Sequence, residues 1–110
     1  MEYMPVLYPG FSWINLKGTG SESHTLERRG GHFFWEQFIA AKKLGIRTGY
    51  VAMFDEVDEA TAIFKVTNSP PTQAKFKTLE GKPSDWYLRL TQAGSKLLKG
   101  KLNSDQFPLD

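Results

Sequence analysis

The stretch that most constrains this chain is Tyr50-Val51-Ala52-Met53-Phe54, five consecutive apolar residues. It gives way in one step to Asp55-Glu56-Val57-Asp58-Glu59, four acids in five positions. The apolar run is too short for a helix and follows one, so it reads as a strand buried on both faces, the habit of a parallel sheet. The acids then stand at that strand's carboxyl end.

The flanking sequence fits the same scheme. Met4 to Tyr8 is short and apolar and closes on Pro9-Gly10, which predicts a second buried strand ending in a turn. Loop-like sequence follows, from Lys17-Gly18-Thr19-Gly20-Ser21 to Arg28-Arg29-Gly30-Gly31. Between His32 and Leu44 the residues Phe34, Phe38, Ala41 and Leu44 recur at spacings of three and four, a helix face with Gly45 as its stop. Beyond the acids lies an irregular stretch containing Asn68-Ser69-Pro70-Pro71, which neither a helix nor an inner strand tolerates. The last element is a helix opening at Pro83-Ser84-Asp85, with Ser84 as its expected N-cap. Leu88, Leu90, Ala93, Leu97 and Leu98 form its apolar side, and Gly100 ends it.

Strand, helix, strand, helix, with both strands apolar throughout, predicts parallel strands joined by right-handed crossovers in the α/β class. Two such units leave unpaired sheet edges and a poorly covered face. A full eight-unit barrel needs about 250 residues, so 110 residues are expected to be a portion of a larger domain.

Composition narrows the chemistry. With 40% hydrophobic residues and 8 Phe, 4 Tyr and 3 Trp, the chain is expected to fold. The absence of cysteine excludes disulfides and thiol nucleophiles. No apolar run approaches the roughly 20 residues of a membrane span, and no secretion leader opens this piece. Fourteen Lys+Arg against twelve Asp+Glu are too balanced to call for nucleic acid. Eight of those bases fall between Lys65 and Lys101, so the alternatives there are a solvated basic face or a polyanion site. A nucleic-acid module would use Arg89, Lys96, Lys99 and Lys101, and the acidic cluster opposes it.

In parallel α/β architectures, working groups collect at strand carboxyl ends. Two such ends occur here, Pro9-Gly10-Phe11-Ser12-Trp13 and the acidic cluster. Carboxylates crowded this closely repel, so at least one is expected to hold its proton more tightly. A protonated acid beside an ionised one is the pairing that glycoside cleavage uses. Glu56 and Glu59 are three apart and would face opposite sides of a regular strand, so a shared site requires the chain to turn after Phe54. A solvated acidic loop and a calcium or magnesium site remain the alternatives, although the spacing lacks the central glycine of an EF-hand. An exposed Trp13 would stack on a sugar ring or an adenine, whereas Trp35 and Trp86, at helix starts, are expected in the core. Arg28 and Arg29 would either hold an anion or lie in solvent. His24 and His32 lack partners at metal-ligand spacing, and Ser12 lacks the neighbours of a hydrolase triad.

Three segments carry a resemblance: Tyr8-Pro9-Gly10-Phe11-Ser12-Trp13, Arg28-Arg29-Gly30-Gly31-His32-Phe33-Phe34-Trp35, and the run from Tyr50 to Lys65. Together they resemble the carboxyl-terminal part of bacterial glycoside hydrolase family 71/99-like proteins, labelled xylosidase/arabinosidase and related to family 99 endo-α-1,2-mannosidases. The likeness extends through Asp85-Trp86-Tyr87-Leu88. It implies that residues 1–110 are the carboxyl-terminal β-α-β-α portion of a (β/α)8 TIM barrel. It also implies retaining hydrolysis through a 1,2-anhydro sugar, without metal or other cofactor. By the resemblance, Glu56 is the base acting on the sugar 2-hydroxyl, and Glu59 is the acid at the leaving oxygen and then the base for water. Trp13, Arg28, Asp55 and Asp58 are the implied substrate contacts, and the implied partners are a carbohydrate and the remainder of the barrel. Neither nucleic acid nor membrane is implied, and full-length relatives would be periplasmic or secreted. The chain departs from the mannosidase pattern with Asp55 for Asn, Val57 for Trp, Asp58 for His and Ala60 for Gly. Ile14 stands where the bacterial group has His. If the turn needs a positive φ at position 60, Ala carries a cost of roughly 1 kcal/mol.

Overall fold

The computed structural model describes residues 2–18, 25–71, 73 and 76–110; Ser21 and His24 lie outside them. The elements run β1 (Val6–Leu7), α1 (Ile14–Lys17), a 3-10 turn (Arg29–Gly31), α2 (His32–Lys43), β2 (Tyr50–Val51) and α3 (Trp86–Leu98). β1 and β2 pair in parallel, Val6 opposite Tyr50 and Leu7 opposite Val51, with α2 in the connection. The parallel α/β order expected from the apolar runs is therefore present.

The helices supply the core. α2 buries Phe34, Trp35, Phe38 and Ala41, and α3 buries Trp86, Tyr87, Leu90, Gly94 and Leu97. Both helix faces follow the three-and-four spacing, and Trp35 and Trp86 are core residues as expected. Phe34 meets Phe38 edge-on at 5.0 Å, and Leu7 reaches the same cluster from β1. The Trp86 indole donates to the Gly30 carbonyl at 2.8 Å, which fastens the start of α3 to the start of α2. Gln37 on α2 exchanges two bonds with the backbone of Tyr8, fixing where β1 ends.

Several expectations are corrected. Ladder pairing is confined to two residues per strand, and the run from Tyr50 to Phe54 is not buried on both faces. Tyr50 is 50% exposed, Phe54 60% and Val6 57%. Alternation explains it: Leu7 and Val51 turn toward the helices, while Val6 and Tyr50 share the other face, which the described chain leaves about half exposed. Leu44 is 76% exposed because α2 ends at Lys43 and Leu44 already belongs to the closing turn. Ser84 makes no capping hydrogen bond; the helix begins at Trp86, whose N–H bonds to the Pro83 carbonyl at 3.0 Å.

Candidate functional site

The chain does turn after Phe54. Met53 N–H bonds to the Thr61 carbonyl at 3.1 Å, Phe64 N–H to the Phe54 carbonyl at 2.9 Å, and Thr61 N–H to the Glu56 carbonyl at 3.1 Å. Residues 53–54 and 61–64 thus run back to back, with the acids at the tip. Inside it, Ala60 N–H closes onto the Val57 carbonyl at 3.1 Å, with Ala60 at φ 59°. The left-handed conformation that favours glycine is therefore held here by alanine.

The four acids divide by environment. Asp55 and Asp58 are exposed, whereas Glu56 and Glu59 are half-buried. One Glu56 carboxylate oxygen accepts the Asp58 N–H at 2.9 Å, so this side chain folds back over the turn. The Glu59 carbonyl accepts the Ser12 N–H at 2.8 Å. That bond ties the loop after β1 to the loop after β2, so the two strand ends named from sequence meet. Trp13 adjoins this junction, half-buried, edge-on to Phe11 at 5.1 Å and with Lys17 Nζ 5.3 Å from its ring centre. Among the described residues, no three His, Asp or Glu side chains are grouped to hold a metal ion.

Arg28 organises the turn from below. It is 4% exposed, so solvent is not its place. Its Nη2 donates to the carbonyls of Ala60 at 2.8 Å and Ala62 at 3.3 Å. Its guanidinium lies 4.6 Å from the centre of the Tyr87 ring. Gly10 makes the approach possible, because a Cβ there would come within 2.7 Å of Arg28 Cγ and 3.0 Å of the Leu26 carbonyl. Three separated motifs, Pro9-Gly10, Arg28 and Ala60-Thr61-Ala62, thus converge on one side chain. Burial lowers the Arg28 pKa, and Tyr87 partly offsets that. Burial likewise pushes the Tyr87 hydroxyl up to about 12. Arg29 is the exposed member of the pair, bonded to both Glu36 carboxylate oxygens at 3.2 and 2.6 Å, which lowers the Glu36 pKa.

Sequence reading missed Tyr87 and Ser12. Tyr87 sits beside the apolar stripe of α3 and looks like more core, and Ser12 contributes a backbone N–H that no side-chain pattern announces. The alternation of exposed Asp and half-buried Glu is likewise invisible in four consecutive-looking acids.

No protein-family model and no curated protein matches the sequence. Among solved structures, the fold is similar to a GH99 endo-alpha-mannosidase from Bacteriodes thetaiotaomicron, solved in complex with BIS-TRIS-Propane, at a TM-score of 0.72 and 18% identity. The match covers 91% of this chain and 30% of that one, so the chain spans under a third of the solved molecule. At that identity the likeness is one of fold: a parallel strand pair with its helices, α/β in class, shaped like part of a family 99 enzyme.

Proposed function

We propose that this chain is the carboxyl-terminal portion of a (β/α)8 glycoside hydrolase barrel and carries its catalytic carboxylate pair. The observation that supports this reading most is the turn after β2. It carries Glu56 and Glu59, half-buried, at the carboxyl end of a parallel strand, and is bonded through Ser12 to the neighbouring strand end. The fold likeness to part of a family 99 endo-alpha-mannosidase supports it independently.

In this reading Glu56 takes the proton of the sugar 2-hydroxyl as O2 attacks C1, and Glu59 protonates the departing oxygen. Glu59 then removes a proton from water, which opens the 1,2-anhydro ring at C1 while Glu56 returns a proton to O2. Asp55, Asp58 and Trp13, at the outer surface of the same junction, contact the sugar. Arg28 acts through the Ala60 and Ala62 carbonyls as a positioning residue, which is how it would serve substrate binding. Six further strand–helix units complete the site, so the chain alone is inactive. Whether mannoside or pentoside is cleaved is set largely by those units.

The test is to replace the matching part of the solved mannosidase with this chain and assay a panel of activated aryl glycosides. Turnover should appear and fall about 10²–10⁴-fold on Glu59→Gln, the usual weight of one acid–base group. Turnover undiminished by Glu59→Gln would overturn the assignment. Sugar affinity without product, in a chimera that folds, would favour a non-catalytic carbohydrate-binding role for Trp13 and the acids.

A further inference from the structure

A cavity of about 340 Å³ lies against the acidic turn, on the side that presents Val57 and Ala60. Glu56 and Glu59 are not part of its wall, so it is separate from the carboxylate pair. Phe64, Val66 and Phe76 give it an apolar lining, and its volume is that of a small-molecule pocket.

Its charged lining is of one sign. Arg28, Lys65 and Lys77 contribute to the wall, with no Asp or Glu among the described residues. Lys77 is bonded to Glu27, and Lys65 is exposed. Arg28 is the unusual member. It is buried, its Nε–H has no hydrogen-bond partner, and none of the ion pairs among the described residues includes it. Two backbone carbonyls and the ring and hydroxyl of Tyr87 are its compensation, along with the weaker field of Glu80; no carboxylate is bonded to it among the described residues. Burying a cation without a counter-ion is costly, and an anion brought beside it recovers part of that cost.

Apolar aromatic walls beside a buried cation that has no carboxylate partner select a flat apolar body that bears one negative charge. We propose that this cavity binds a small aromatic carboxylate, its ring against Phe64 and Phe76 and its carboxylate toward Arg28 and Lys65. The inference does not depend on the glycosidase reading, since it invokes neither Glu56 nor Glu59.

Titrating the full chain with cinnamate, and with its neutral isostere cinnamamide, tests it. Cinnamate should bind saturably with one-to-one stoichiometry, move the amide resonances of residues 57–66 and 76–78, and bind about tenfold tighter than the amide. Tenfold is the usual margin of a charge-assisted hydrogen bond over a neutral one. Lys65→Ala, at an exposed position, should narrow that margin, and Thr67→Trp, at the exposed rim, should block binding. Equal affinities for acid and amide, no saturable binding, or resonance changes confined to other segments would each overturn the proposal. So would undiminished binding in a folded Thr67→Trp protein. If that variant fails to fold, the acid–amide comparison in the unaltered chain still decides.

Discussion

Tyr87 shows how one side chain couples the turn to solution conditions. Its hydroxyl pKa is raised from 10.0 to about 12 by burial, with Arg28 pulling the other way. A group whose folded pKa lies above its unfolded one contributes stability that is complete below the unfolded value and is lost as pH rises through the folded value. The window is therefore pH 10 to 12. At roughly 1.4 kcal/mol per unit, stability should fall there by on the order of 2 kcal/mol through this group. Denaturant titrations across that window should show the decline, and Tyr87→Phe should flatten it; an unchanged slope in the variant would refute the assignment. Ala60 is a second case. Its positive φ costs about 1 kcal/mol, and burying its methyl returns about 0.8 kcal/mol. The two terms nearly cancel, which explains how alanine persists at a position suited to glycine.

Among the elements, α2 and α3 contribute most of the buried core, and they meet closely at Gly94 and Phe38. Gly94 lies directly against the Phe38 ring, and a Cβ there would collide with it. That ring is buried and packs against Phe34 at 5.0 Å and Trp35 at 6.2 Å, so moving it aside disturbs both contacts. Gly94→Ala would gain about 1 kcal/mol of helix propensity. Overpacking costs about 1–3 kcal/mol and should win, giving a net loss. Thermal unfolding should register a lower Tm; an equal or higher one would mean that the helices can separate at little cost. Both helix faces were legible in the sequence because a stripe repeating every three to four residues reports a helix wherever it packs. The strands were legible only as to order and direction. Continuous apolar residues do not say how many neighbours a strand will have, so the two-face burial expected of Tyr50–Phe54 did not follow.

For the molecule as a whole, surface is the informative quantity. The chain exposes 6968 Å², against about 6,200 Å² for a compact monomer of its mass. The excess is comparable to the roughly 800 Å² that one partner contributes to a standard interface. Val6 and Tyr50, paired across the strands on the half-exposed face, lie where further barrel units would pack in the proposed reading. The chain by itself should accordingly associate as its concentration rises, in sedimentation or light scattering. Val6→Glu should reduce that association and leave Tm nearly unchanged, because an exposed side chain contributes little to the fold. Concentration-independent monomers would show instead that the face is stable in water.

Local sequence was enough for whatever depends on neighbours a few residues away: two amphipathic helices, the parallel order of two apolar strands, and the need for a turn bearing four acids. Tertiary structure alone decided which acids are half-buried and that Arg28 lies under the turn. It also decided that Gly10, Arg28 and Ala60 meet, and that a cavity opens against them. Periodicity is a local property, carried by each segment wherever it goes. Burial and counter-charge belong to groups brought together across tens of residues, and only the packed chain assigns them.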